Sequence, residues 1–198
     1  MANVASQVVS QQSRSAEWAK QAGIVIGASL LVALCARVTL PLPFTPVPLT
    51  LQNFGVLSVA LLLGSRRGFV ALALYLAEGA AGLPVFSPAG PGGIAQILGA
   101  TGGFLVAYPF VAFATGRIYE RTSRRFGSAV LAGIAGEILL FAGGLAWLFT
   151  LTHSLSQAIR WGLYWFVFAE VIKIMMAAGV ASKWHQKLKK SSLNQAWD

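Results

Sequence analysis

Four ionisable side chains interrupt long uncharged stretches of this sequence: Glu78, Glu137, Glu170 and Lys173. Glu170 and Lys173 stand three residues apart, so a helix through them sets a carboxylate and an ammonium on one face, where they neutralise each other. A carboxylate accepts hydrogen bonds and an ammonium donates them, so the pair can hold a polar ligand that does both. It can also serve as a structural ion pair turned to a bundle interior. The pocket reading is preferred here, because apolar packing fills a purely structural role equally well. Trp161, Tyr164, Trp165 and Phe168 then supply apolar walls, although Trp161 also suits an interfacial belt. Glu78 precedes Gly79 and reaches either headgroups or the pocket. Glu137 has no partner in its own stretch of sequence and is either protonated or paired across helices.

Other chemistries lack their residues. The only aspartate is Asp198, so no paired-aspartate motif and no Ser-His-Asp set can be assembled. Gly99-Ala100-Thr101-Gly102-Gly103 has no GK[ST] ending, which excludes a P-loop. Cys35 is the single cysteine, so neither a disulfide nor a cysteine metal site is expected. His153 and His185 fall on opposite sides of the predicted membrane and cannot share a metal. No catalytic residue, metal or cofactor is expected.

These side chains must be positioned by elements suited to lipid. Only 11% of the 198 residues are charged, 56% are hydrophobic and the mean hydropathy is +0.68. A soluble domain carries about 25% charged residues. An ionisable group at the centre of a membrane helix costs at least about 2.5 to 3.5 kcal/mol, so each of the four needs a partner or a wet cavity. The net charge of +9 does not indicate nucleic acid, because the basic residues fall in small clusters between apolar runs.

The hydropathy predicts an all-α integral membrane protein with six transmembrane helices, at about 21 to 39, 49 to 65, 68 to 86, 97 to 117, 127 to 151 and 158 to 182. Of the fifteen cations, Arg14, Lys20, Arg66, Arg67, Arg117, Arg121, Arg124, Arg125, Lys183, Lys187, Lys189 and Lys190 then share one side. The other side receives Arg37 and Arg160. Both termini are therefore expected in the cytoplasm. Residues 1–20 read as a frayed cytoplasmic N-terminal tail without a signal peptide, 21–185 as the membrane domain, and 186–198 as a cytoplasmic C-terminal tail. Entering from outside, the last helix reaches Glu170 after about a dozen residues, roughly 18 Å, near the midplane.

The two external connections are apolar and rich in proline and glycine. Residues 40–48 hold four of the eight prolines and should form a stiff, extended loop. Residues 82–93 form the second. Both either rest on headgroups or cover an outward-facing cavity. In the first helix, Ala19, Gly23 and Gly27 recur every four residues, a small-residue stripe that admits a close helix from within the chain or from another membrane protein.

Several ordered motifs carry a family resemblance across roughly residues 20 to 185. They are Pro43-Phe44-Thr45-Pro46-Val47-Pro48-Leu49-Thr50-Leu51-Gln52, Leu63-Gly64-Ser65-Arg66-Arg67-Gly68, Gly79-Ala80-Ala81-Gly82-Leu83-Pro84-Val85-Phe86 and Gly99-Ala100-Thr101-Gly102-Gly103-Phe104. With Glu170 and Lys173 they make the chain similar to the BioY family, the biotin-specific substrate-binding (S) components of energy-coupling factor (ECF) transporters. The resemblance implies capture and uptake of biotin in the bacterial plasma membrane, together with a transmembrane coupling protein and two cytoplasmic ABC ATPases. It implies Glu170 and Lys173 as biotin-binding residues, with Gln52, Thr45, Phe86, Phe104 and Gln96 as further candidates, and Gly23 and Gly27 as the coupling-protein interface. The family commonly carries Asp where this chain has Glu170, whose extra methylene displaces the carboxylate by about 1.5 Å. A small integral-membrane enzyme and an S component for a different vitamin are the alternatives.

Overall fold

Glycine, proline and short polar runs mark where the apolar sequence stops being helix. The computed structural model describes residues 2–194. The order is α1 (Ala2–Arg37), β1 (Thr39–Leu40), β2 (Leu49–Thr50), α2 (Gln52–Leu63), α3 (Ser65–Ala80), α4 (Gly93–Leu98), α5 (Gly102–Glu120), α6 (Phe126–Thr152), α7 (Leu155–Gly162) and α8 (Val167–Asn194). Helix α5 is central, packed against α2, α3 and α6, while α8 closes on α2 and α6.

Several elements differ from the sequence expectation. The N-terminal stretch expected to fray is helical from Ala2 onward and continuous with the first apolar helix. It holds no glycine or proline before Gly23, and its Ala, Gln, Ser and Arg residues allow helix to propagate. At the other end, α8 runs through the predicted tail to Asn194, and residues 195–198 lie outside the described residues. The fourth predicted helix is divided into α4 and α5 around residues 99–101. A side chain on Gly102 would strike the Ile97 carbonyl, so the chain turns there. The last predicted helix is likewise broken, with α7 and α8 bent by 46° across residues 163–166, just after Gly162.

The proline-rich stretch is a loop closed by a two-residue antiparallel ladder, Thr39 opposite Thr50 and Leu40 opposite Leu49. The second connection, residues 81–92, is a succession of turns. At the opposite end, α2 and α3 are separated by Gly64 alone, at φ +82°. The Glu120 carboxylate fills the space a Cβ on Gly64 would need, and it accepts hydrogen bonds from the Ser65 amide and hydroxyl, both at 2.8 Å.

Large apolar side chains face outward along the bundle, among them Leu34, Leu131, Ile138, Val171 and Met175, while Gln52, Asn53, Glu137, Glu170 and Lys173 are buried. That inversion is the pattern of a chain whose solvent is lipid. By length and composition alone, residues 15–37 and 126–152 suffice to cross a bilayer, and α7 with α8 adds a third candidate as one bent span.

Candidate ligand-binding site

The proline-rich loop, the second loop and the bundle enclose a cavity of about 60 Å³, lined by residues of α2, α4, α5, α6, α7 and α8. Its polar floor begins with Glu170 in the first turn of α8, one turn after the helix break rather than midway along an unbroken span. Glu170 Oε1 accepts from Lys173 Nζ at 2.7 Å. Both residues are more than 90% buried, so the pair is shielded from solvent outside the cavity.

The pair extends across the bundle through Asn53, in the first turn of α2. Asn53 Nδ2 donates to Glu170 Oε2 at 2.6 Å and also to Glu137 Oε1 on α6. Three helices thus contribute to one chain of polar groups, Glu137–Asn53–Glu170–Lys173. Glu137, without a partner in its own stretch of sequence, is paired across helices. Two carboxylates share one amide nitrogen and a single ammonium, and partly matched buried groups of this kind are costly unless something completes them. Gln52 Nε2 and Asn53 Oδ1 are buried without partners, a donor and an acceptor on adjacent residues that both line the cavity.

The walls are apolar. Phe104 fits because Gly144 and Gly162 leave room: a side chain on either would meet its ring. Tyr108, Leu140, Phe141 and Phe166 complete the enclosure. The aromatic walls expected from Tyr164, Trp165 and Phe168 are corrected by the break after Gly162, which turns Phe166 inward. Phe168 is 77% exposed and Tyr164 70% exposed.

Of the residues expected to bind ligand, Glu170, Lys173, Gln52, Phe104 and Gln96 line this cavity. Gln96 is also engaged locally, since its Oε1 accepts from the Gly92 amide at 3.1 Å. Thr45 and Phe86 lie behind the lining. Thr45 Oγ1 donates to the Trp161 carbonyl at 2.8 Å and accepts from the Val47 amide, which pins the first loop so that Val47 and Pro48 face the cavity. Phe86 sits where a side chain on Gly79 would be and meets Tyr75 edge-on at 5.4 Å. Tyr75 Oη donates to the Val85 carbonyl at 3.0 Å, and the next residue after Phe86, Ser87, lines the cavity. Glu78 accepts from Ser29 of α1 and is not part of the lining. Gly23 and Gly27 are exposed on α1, and no described residue lies within 4 Å of where a Cβ on either would stand.

Sequence reasoning missed Asn53. Its only signal in the sequence is an uncharged amide next to Gln52 at the head of an apolar helix.

Comparison with known proteins gives a consistent picture. The BioY family profile matches residues 6–190. The biotin transporter BioY of Rhizobium etli is 36% identical over 159 residues, covering 76% of this chain and 84% of that protein. The biotin transporter BioY of Thermotoga maritima is 36% identical over 151 residues, covering 76% and 87%. Among solved structures, the crystal structure of the S-component for biotin from an ECF-type ABC transporter superposes with a TM-score of 0.77. It shares 24% identity and covers 86% of this chain and 93% of that one.

Proposed function

The chain belongs to the BioY family, and from that membership we infer that it captures biotin as the substrate-binding subunit of an ECF-type transporter. It is a membrane protein of transport, not an enzyme. The observation that carries the ligand site is the buried Glu170–Lys173 pair opening on a cavity beside the unmatched Gln52 Nε2 and Asn53 Oδ1.

Biotin presents a planar ureido group with two N–H donors and one carbonyl acceptor, an apolar bicyclic body and a carboxylate tail. A ligand offering an acceptor beside a donor satisfies an orphaned amide nitrogen and an orphaned amide oxygen together. In this reading Glu170 and Asn53 Oδ1 accept from the ureido N–H groups, and Gln52 Nε2 donates to the ureido oxygen. Lys173 donates to that oxygen or to the tail carboxylate. Phe104, Phe166 and Tyr108 enclose the rings, and Gln96 adds a polar edge. Thr45 and Phe86 act through the loops they anchor.

The six longest helices, α1, α2, α3, α5, α6 and α8, form the membrane domain of residues 21–185 in this proposal. Residues 1–20 and 186–198 flank it in the cytoplasm of a bacterial plasma membrane. Twelve of the fifteen cations on one side support that orientation. The uncovered Gly23–Gly27 face of α1 supports docking of a transmembrane coupling protein, which brings two ABC ATPases that this chain does not supply. Gly23→Leu with Gly27→Leu is expected to block co-purification with the coupling protein while biotin binding persists, and loss of biotin binding would refute the assignment.

Thermal unfolding of the detergent-solubilised protein tests the function. Biotin at about a thousand times its Kd stabilises the native state by about 4 kcal/mol, so the transition moves several degrees upward. A shift with another vitamin and none with biotin overturns the reading.

A further inference from the structure

A second, shallower cleft lies beside the cavity at the loop end of the molecule. Arg37, in the last turn of α1, lines it with Leu83, Pro84, Phe86, Ser87 and Pro91 of the second loop. Ser87 lines the internal cavity as well, so the two spaces share a wall. At that wall the Ser87 hydroxyl lies 3.0 Å from Thr39 Oγ1, tying β1 to the second loop. Arg37 is exposed, and its guanidinium has no ion-pair or hydrogen-bond partner among the described residues. Glu78 on the neighbouring α3 bonds Ser29 instead.

The other guanidinium expected on this side, Arg160, serves as an internal comparison. It lines a separate cleft with Phe44, Trp161 and Trp165, which shares no residue with the cavity. Arg37 alone of the two stands at a wall common to surface and interior.

We propose that the Arg37 cleft is an entry site for a carboxylate, where the anionic tail of an otherwise uncharged ligand is held before the ligand passes the Thr39–Ser87 contact into the cavity. The proposal rests on the biotin reading and adds to it a surface station outside the cavity. A free cation beside the mouth raises the local concentration of anions and so accelerates association. Arg37 does not line the cavity, so the loaded state gains nothing from it; entry and exit past this station speed up together and the affinity is unchanged. A charge acting in this way reveals itself in the association rate and its salt dependence.

The test is stopped-flow binding to the purified full chain, with biotin and with its uncharged methyl ester. Arg37→Ala should slow biotin association about 3- to 10-fold at low ionic strength. The difference should shrink as salt shortens the screening length to a few Å. The equilibrium Kd for biotin should be unchanged, with dissociation slowed by the same factor, which also reports an intact cavity, and Arg37→Lys should restore most of both rates. Association of the ester should be indifferent to Arg37, and Arg160→Ala should leave both ligands unaffected. Equal slowing of biotin and ester, equal slowing by the two arginine variants, or no effect of Arg37→Ala on biotin overturns the entry site while leaving biotin capture in place. Wild-type protein that binds neither compound overturns the functional reading and the entry site with it.

Discussion

Gln52 Nε2 is a buried amide nitrogen with no acceptor among the described residues. Leaving such a group unsatisfied costs roughly 1 to 3 kcal/mol, whereas an apolar replacement of similar shape removes the penalty. Gln52→Leu is therefore expected to raise the melting temperature of ligand-free protein and to weaken biotin binding about 10- to 100-fold, as loss of a ligand hydrogen bond would. Calorimetry beside thermal unfolding measures both, and a variant that loses stability and keeps its affinity contradicts this role. Much of the residue-scale picture was legible in the sequence because charge is conspicuous in an apolar chain. The i, i+3 spacing announced the Glu170–Lys173 pair, which the structure closes at 2.7 Å. Asn53 was not legible, since its role arises only when α2, α6 and α8 meet. An amide that bridges two carboxylates looks in the sequence like any polar helix residue.

Breaks between elements turn out to shape the cavity as much as the elements themselves. The turn after Gly162 rotates Phe166 inward and leaves Tyr164 and Phe168 outside, so the aromatic wall comes from a different residue than periodicity suggested. A continuous apolar run carries no mark of where a helix will stop, because hydropathy is blind to backbone direction. Glycine spacing at residues 99–103 was visible, but the steric reason, Gly102 against the Ile97 carbonyl, required coordinates. The loops were easier to recognise, since proline forbids helix whatever surrounds it.

The junction of α2, α3 and α5 makes its own prediction. Partial burial of Glu120 tends to raise its carboxyl, but hydrogen bonds from the Ser65 amide and hydroxyl, with Arg117 and Arg124 nearby, hold it below its ordinary value. A depressed folded-state value means that the contribution is full above the ordinary carboxylate range and is lost as pH falls through the folded value. Wild-type melting temperature should therefore drop between about pH 5 and pH 3 more steeply than that of Glu120→Gln. Parallel pH profiles for the two proteins would show that this carboxylate does not anchor the junction.

At the scale of the whole molecule, an apolar exterior surrounds an apolar core that holds one chain of buried polar groups, Glu137–Asn53–Glu170–Lys173. The low charged fraction, 11%, made the membrane legible from composition, and the placement of cations suggested an orientation. The length of each pass was less legible. Helix α2 has twelve residues, about 18 Å, well short of a hydrocarbon core of about 30 Å, so the bundle is not six equal rods. Gln52 and Asn53 in the first turn of α2 are buried in the bundle, where the Asn53 amide meets Glu170, and the two loops close over them. Fold, buried charge and family membership meet in the claim that biotin occupies the cavity at Glu170 and Lys173. The most direct measurement is the calorimetric titration of biotin into wild-type protein and into Glu170→Ala and Lys173→Ala. The account predicts one saturable site in the wild type and at least about a tenfold loss of affinity in each variant, as expected for removing a hydrogen bond to a charged group. Undiminished affinity in both variants would contradict it.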